Sequence, residues 1–461
     1  MSLIKSISGI RGTIGGKPSD NLTPLDIVRF SAAYGEYVKS QAQSAKCTVV
    51  IGRDARISGK MVQALVSNTL IGLGIDVIDL DMATTPTVEM MVPKLKSQGG
   101  IILTASHNPK QWNALKLLDA NGEFLNAEAG GQILAIADEE NFDFAAVDDL
   151  GSVKQHNTSL DMHIKAVLDH PLVEVDKIKT TQLKVVVDGV NSIGGIAIPE
   201  ILRAFDIEVV ELFCEPNGQF PHNPEPLKEH LGALSAKVIE TNADFGIVVD
   251  PDVDRLAFID ENGEMFGEEY TLVACADYVL SKKKGNTVSN MSSTRALRDI
   301  TEKHGGKYYS SAVGEVNVVQ QMKACNAVIG GEGNGGIIDP HLHYGRDSLI
   351  GTAFFLSLIS ECKLSVSDLK KTYPEYFMSK GKIELEPAMN TDNLLVHIEE
   401  KYQAQKPNII DGVKIDFKDS WVHLRKSNTE PIIRVYTEAR SQKLADKLMN
   451  RFKEELLSFN P

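Results

Sequence analysis

Three aspartates spaced two residues apart, Asp250, Asp252 and Asp254, lie in the segment FGIVVDPDVDRLAFID at 245–260. Fully extended, that segment would hold the outer two roughly 13 Å apart, too far to share an ion. Pro251, with its fixed φ, can begin the curl that brings them together. Carboxylates about 4 Å apart repel by roughly 4 kcal/mol per pair at an effective dielectric near 20, so the cluster calls for a cation. An all-oxygen set suits Mg²⁺, which keeps water or phosphate oxygen in its remaining positions. An EF-hand loop counted from Asp250 would fit at Glu261, but it needs glycine where Arg255 stands and helices where the flanks read as strands. A solvated acidic turn is the bland alternative.

Three further segments carry chemistry. In GGIILTASHNP (99–109) an apolar strand ends at Thr104, and Ser106 follows in a loop that Asn108-Pro109 marks as a turn. A serine beyond the carboxyl end of a strand stands where open α/β sheets place ligands and could be a nucleophile. An isolated turn serine bonding its own backbone is the competing reading, and the G-x-S-x-G elbow of a serine hydrolase is missing. The loop GGEGNGG (330–336) allows close backbone approach to a ligand, while Glu332 and Asn334 offer the acceptors and donors that sugar hydroxyls need. Finally, RKSNTEPIIR (425–434) gathers Arg425, Ser427, Asn428, Thr429 and Arg434, a combination suited to a dianionic phosphate.

The elements that must position these loops alternate between short apolar strands and helices over about four-fifths of the chain, the pattern of α/β layers. Thr23-Pro24 predicts a helix start, with Thr as N-cap and Pro at the first helical position. Another helix is expected from Ser58 to a C′ glycine at Gly74, after a strand over 47–52. VVIGRDARISG (49–59) and VVVDGVNSIGG (185–195) share a strand, an acidic residue, a small-residue turn and a helix start, and 285–300 begins similarly. Three related α/β units are the reading of this faint repeat. The last eighty or so residues differ: an amphipathic helix at LLVHIEEKYQAQ, strands at VKIDF, WVHLRK and IIRVYTE, and a closing helix near 441–457.

Composition bounds the class. A chain of 461 residues exceeds one ordinary hydrophobic core. The net charge of −14 argues against nucleic acid or an anionic membrane as partner, though not against a small phosphorylated substrate met by local Arg and Lys. The five cysteines are dispersed, with no CxxC pair, and predict reduced thiols in a cytoplasmic protein. The apolar run 349–359 is too short to span a bilayer and predicts a buried helix. No segment specifies an oligomeric state.

In this order the four motifs resemble the α-D-phosphohexomutase family over the whole chain. That resemblance implies three related α/β domains with mixed sheets (1–156, 157–258, 259–376) around a central cleft, plus a smaller C-terminal α+β domain (377–461). The implied activity interconverts hexose 6-phosphate and hexose 1-phosphate through a phosphoserine and a sugar 1,6-bisphosphate. By resemblance Ser106 carries the phosphoryl group, which completes the Mg²⁺ coordination begun by Asp250, Asp252 and Asp254. Arg11 in SGIRG corresponds to an arginine near the phosphoserine. His107 and Lys116 correspond to residues beside the transferring phosphate, Lys116 as a proton carrier. The resemblance also implies that Arg255 contacts substrate, Glu332 the sugar hydroxyls, and Arg425, Ser427, Asn428 and Thr429 the non-reacting phosphate.

Two departures bear on chemistry and substrate. Many family members have E-x-S-G-H where this chain has E-G-N-G-G, so Gly336 stands in place of a histidine, with His341 or His343 as compensating candidates. The E-G-N-G-G loop resembles that of archaeal-type phosphoglucosamine mutases, so a glucosamine phosphate is the expected substrate. Asn428 leaves mannose and glucose phosphates as the alternative. A hydrolase with a D-x-D-x-[T/V] signature would need Thr or Val at position 254, and a non-catalytic sugar binder would not need the serine and metal loops together.

Overall fold

The computed structural model describes residues 2–6, 9–42, 46–384, 391–426 and 432–458. Four sheets organise the chain, one after another along it. In the first, strands Thr48–Arg53, Asp76–Met82, Gly99–Leu103 and Trp112–Leu118 lie side by side in the order fourth, third, first, second. The first three run parallel and the fourth turns back antiparallel. Strands Lys184–Asp188, Glu208–Leu212, Phe245–Val249 and Leu256–Asp260 repeat that order and those directions in the second sheet. Strands Asn286–Asn290, Tyr308–Ser311, Ala327–Glu332 and Gly336–Ile338 do so again in the third. The repeat legible at 49, 185 and 285 is therefore the first strand and turn of each unit.

This shared topology places the chemistry. In every unit the third strand is parallel and internal, and the chain must reverse directly to make the antiparallel fourth. The serine loop, the metal loop and the sugar loop each occupy that reversal, at the carboxyl end of the third strand, where α/β sheets present backbone and side chains to ligands. The strand Leu256–Asp260 crosses the expected division at 258, so the second unit runs on to Asp260.

Local signals act as expected. The Thr23 hydroxyl accepts from the Asp26 backbone N–H, and the Asp26 carboxylate accepts from that of Thr23, a reciprocal cap on helix Pro24–Gln41. Gly74, at φ +79°, follows helix Gly59–Gly72. The apolar run is the helix Ser348–Cys362, whose Leu349, Ile350, Phe354 and Phe355 are fully buried. Its Phe355 ring stacks on Phe258 at 3.8 Å, joining the second and third units in one core. Among the described residues no helix is long and apolar enough to cross a membrane.

The fourth sheet is wholly antiparallel, in the order Phe377–Glu384, Ile432–Ala439, Ser420–Lys426, Val413–Asp416, covered by helices Thr391–Lys401 and Gln442–Ser458. Its edge strand Phe377–Glu384 carries no strand pattern in the sequence, because Lys380, Gly381 and Lys382 interrupt the apolar alternation. Charged edges are how sheets avoid pairing with other chains. This unit docks on the third through Arg295, which reaches Asp416 at 2.7 Å, and through His423. His423 Nε2 donates to the Asp411 carbonyl at 2.7 Å, so Nδ1 accepts from the Ser292 hydroxyl at 2.9 Å.

Burial pushes His423 down from 6.5 to about 4. The unfolded chain protonates this residue below about 6.5 and the folded chain resists until about 4, so its contribution is complete above 6.5 and is lost as pH falls, at about 1.4 kcal/mol per pH unit. Protection against hydrogen exchange over 413–426, after correction for the intrinsic exchange rate, should therefore fall from pH 7.5 to 4.5. His423→Gln should flatten that fall, and identical profiles would contradict the assignment.

Candidate active site

Ser106 sits just beyond strand Gly99–Leu103 with φ +48°, a left-handed conformation that a non-glycine residue keeps only when its surroundings hold it. Arg56 does the holding. Fully buried, it donates to the carbonyls of Ser106, Asn108, Pro109 and Trp112 at 2.5, 2.7, 2.8 and 2.9 Å, while its Nε pairs with Asp54 at 2.9 Å. Asp54 also accepts from the Thr104 hydroxyl at 2.7 Å, and Thr104 Oγ1 accepts the Ser106 N–H at 3.0 Å. The Ser106 hydroxyl is thereby aimed across the boundary between units, donating to Asp250 Oδ2 at 2.7 Å.

The metal loop curls more tightly than Pro251 alone requires. Val253, fully buried, has φ +65°, unusual for a β-branched residue, and the turn lets the N–H groups of Asp254 and Arg255 both donate to Asp250 Oδ1 at 3.1 Å. Asp250, Asp252 and Asp254 are wholly buried, and each offers an oxygen within 4.8 Å of the others. Burial, then Asp254 and Asp252, push Asp250 well above the usual carboxylate range. Burial works the same way on Asp252, yet the Lys116 ammonium at 2.7 Å and the Thr85 hydroxyl at 2.6 Å hold it below that range. Asp252 Oδ1 and Asp254 Oδ1 are buried without a hydrogen-bond partner. Orphaned oxygens in a hard-ligand cluster fit a divalent cation such as Mg²⁺.

The remaining expected residues gather unevenly around this point. Lys116 lies 2.7 Å from Asp252 and 3.6 Å from Asp254, and despite burial these carboxylates keep it charged well above the usual lysine range. His107 Nδ1 is 3.4 Å from Ser106 Oγ. Burial, reinforced by Arg255, Arg346 and Arg11, drives His107 down to about 2, so it is neutral. Arg11 stands across from Ala114 on the strand beside Lys116, with its Nε buried and unpartnered. Arg255 donates to Glu225 at 3.0 Å and keeps Nε 3.9 Å from Asp250. Glu332 Oε1 accepts from Asn290 at 2.7 Å and from the Gly314 N–H at 3.2 Å. Asn334, half-buried, accepts from the Gly336 N–H at 3.3 Å.

On the fourth sheet Arg425 faces Arg434 directly across the strands, and Lys382 pairs with Arg434 on its other side. Three cations in a row on one sheet face repel unless an anion joins them. Asp411 grips Arg425 Nε at 2.9 Å while its other oxygen accepts the Val313 N–H of the third unit at 3.0 Å. Ser427, Asn428 and Thr429 lie outside the described residues.

Other residues at the site carried no sequence signal. Thr85 and Arg56 are two of them. Arg346 is the third, buried among Asp254, Glu332 and Glu315. Glu89 is a buried carboxylate with no hydrogen-bond partner, raised well above its usual range by burial and then by Glu315, with His343 at 3.4 Å. Neither candidate histidine takes the place left by Gly336. His343 Nε2 is committed to Asp347 at 3.1 Å, and His341 packs edge-on against His170. The Arg346–Asp254 contact joins residues 92 positions apart, so no local spacing announces it.

Family models for phosphoglucomutase/phosphomannomutase match the chain in succession, as alpha/beta/alpha domain I over 3–144, domain II over 161–263, domain III over 267–376 and the C-terminal domain over 384–455. The chain is 34% identical over 438 residues to a phosphoglucomutase/phosphomannomutase of Thermococcus kodakarensis, covering 94% of this chain and 95% of that one. It is 30% identical over 464 residues to a phosphoglucosamine/phosphogalactosamine mutase of Sulfurisphaera tokodaii, covering 98% and 99%. Its fold matches a crystal structure of a phosphoglucomutase/phosphomannomutase family protein from Burkholderia thailandensis with TM-score 0.84 at 24% identity, over 99% of both chains. Four successive domains of one model set, and relatives alike over nearly their whole lengths, make this chain a phosphohexomutase of the phosphoglucomutase/phosphomannomutase family.

Proposed function

We propose that the enzyme moves a phosphoryl group between the 6- and 1-positions of a hexosamine phosphate, glucosamine 6-phosphate to glucosamine 1-phosphate, through phosphorylated Ser106. The observation that carries this reading is the Ser106 hydroxyl 2.7 Å from Asp250. That contact joins the serine loop of one unit to the acidic loop of the next. Relatives bear both glucosamine and glucose/mannose names. The E-G-N-G-G loop favours the amino sugar, with mannose and glucose phosphates as the second reading.

Asp250, Asp252 and Asp254 would hold Mg²⁺, which when bound neutralises and polarises the phosphoryl group on Ser106. A sugar hydroxyl attacks phosphorus, the bond to Ser106 Oγ breaks, and the hydroxyl proton ends on that Oγ with Lys116 as carrier. The resulting 1,6-bisphosphate turns over in the cleft. Ser106 Oγ then attacks the other phosphoryl group, whose bond to the sugar breaks as the serine proton returns to the sugar oxygen. His107, held neutral, hydrogen-bonds near the reacting oxygen without adding charge. Arg11 and Arg255 meet the transferring phosphate, Glu332 and Asn334 the sugar hydroxyls. Arg425 and Arg434 meet the distal phosphate, with Ser427, Asn428 and Thr429 beside them in sequence. Little covalent work falls to the protein; positioning and charge neutralisation dominate. The five cysteines are free, which suits a reducing cytoplasm.

A mutase must bind its substrate in two opposite orientations with the idle phosphate at one distal site. Truncating Arg425 should therefore lower kcat/KM in the forward and reverse directions alike, by roughly ten- to a hundredfold for a lost charge-assisted hydrogen bond. Collapse of one direction with the other untouched would refute the two-orientation mechanism. Coupled assays with glucosamine, glucose and mannose phosphates on the same enzyme decide the sugar.

A further inference from the structure

Gly336 has no left-handed backbone to explain it. What demands glycine there is a neighbour: a Cβ built at Gly336 would stand 2.3 Å from Arg346 Cδ and 3.0 Å from its Cγ. The aliphatic stem of Arg346 fills the volume above the sugar loop. Its guanidinium then faces three carboxylates, with both terminal nitrogens hydrogen-bonded. One terminal nitrogen donates to Asp254 Oδ2 at 2.7 Å, the other to Glu332 Oε2 at 2.8 Å, and Nε lies 2.9 Å from Glu315 Oε2.

We propose that Arg346 is the positioning residue of the sugar loop, taking the space Gly336 leaves, setting the Glu332 carboxylate in one pose, and coupling that pose to Asp254. This rests on Glu332 and Asp254 being the sugar-facing and metal-holding carboxylates of the proposed function.

The anchorage of Arg346 supports a fixed fork. It forms a strand bridge with Ile338, and the next residue, Asp347, caps helix Ser348–Cys362 while taking His163 at 2.8 Å and His343 at 3.1 Å. An arginine held at its base presents a planar fork of fixed geometry, which lysine cannot reproduce. Glu332 is held from both sides: Asn290 and the Gly314 N–H take Oε1, and Arg346 takes Oε2. Any cation on Asp254 shares that carboxylate with the guanidinium, so cation binding and the grip on Glu332 are linked, and such linkage is reciprocal.

The test uses Arg346→Gln, Arg346→Lys and Gly336→Ala, read by calorimetric titration with Mg²⁺ alone and by steady-state kinetics. Removing a positive charge beside Asp254 should make Arg346→Gln bind Mg²⁺ more tightly, by at least roughly threefold, while kcat/KM falls at least about tenfold. Arg346→Lys should keep near wild-type Mg²⁺ affinity yet show the same kinetic loss, because charge remains and the fork is gone. Gly336→Ala, which touches no carboxylate, should also lose turnover by pushing the arginine stem aside. A merely structural role would lower metal affinity and activity together in Arg346→Gln. That result, or wild-type turnover in both Arg346→Lys and Gly336→Ala, would overturn the proposal. If wild-type enzyme itself shows no mutase activity, the functional reading fails while the Mg²⁺ titrations still decide the coupling.

Discussion

Ser106→Ala should lose turnover by about a thousandfold or more, and should no longer take up the single phosphate that intact-mass measurement finds on wild-type enzyme after incubation with a sugar 1,6-bisphosphate. The expectation rests on how the hydroxyl is presented. Thr104 and Thr85 also have buried hydroxyls nearby, but the first is turned to Asp54 and the second sits on Asp252 from another helix. Among the described residues only Ser106 combines the reversal after the third strand, a hydroxyl on Asp250 and an imidazole within 3.4 Å. The substitution should leave the loop in place, because Arg56 grips backbone carbonyls and not the serine side chain. Alanine tolerates the left-handed φ about as poorly as serine, so no large new strain enters. Phosphate on another residue, with activity retained in the variant, would end the phosphoserine mechanism.

Asp252→Asn should cost roughly two to three orders of magnitude in turnover, comparable to removing a charge aimed at a reacting group, and a chelator should silence the wild type until Mg²⁺ is restored. Asp252 is kept ionised by Lys116 and Thr85, and its Oδ1 has no protein partner. An amide removes that charge and offers one weaker oxygen. Lys116 retains Asp254 at 3.6 Å, so the variant should still fold and its loss is read as chemistry. The unfolding temperature of the wild type should rise on adding Mg²⁺, since a ligand of the native state stabilises it by mass action. Full activity in excess chelator would remove the metal from the mechanism.

Much of this molecule is written locally. Thr23-Pro24 starts a helix because a hydroxyl can satisfy an orphan N–H and proline already has the helical φ. The run 349–359 is a buried helix because it is apolar on every face. Asp250, Asp252 and Asp254 predict a cation because carboxylates crowded that closely repel one another. The faint repeat declares three like units because each begins with the same strand and small-residue turn. All of these depend on neighbours within a few positions, which is what a sequence records.

Tertiary structure decided the rest. That the serine, metal and sugar loops occupy one topological position in three units follows from strand order, which no single segment carries. Arg346 meets Asp254 across 92 positions and Arg56 meets Ser106 across 50, so nothing in the spacing marks either arginine. The histidine substitutes suggested by proximity in sequence, His341 and His343, were drawn elsewhere by His170 and Asp347, while an arginine took the vacated space. The strand Phe377–Glu384 forms on a polar alternation because the sheet supplies a partner for every residue from Phe377 to Glu384. The sequence by itself determined the reactive groups and their local frames. Which charges neutralise which, and which side chain fills the place of a missing one, was settled only by folding, because Coulomb and packing energies depend on distance in space and are blind to distance along the chain.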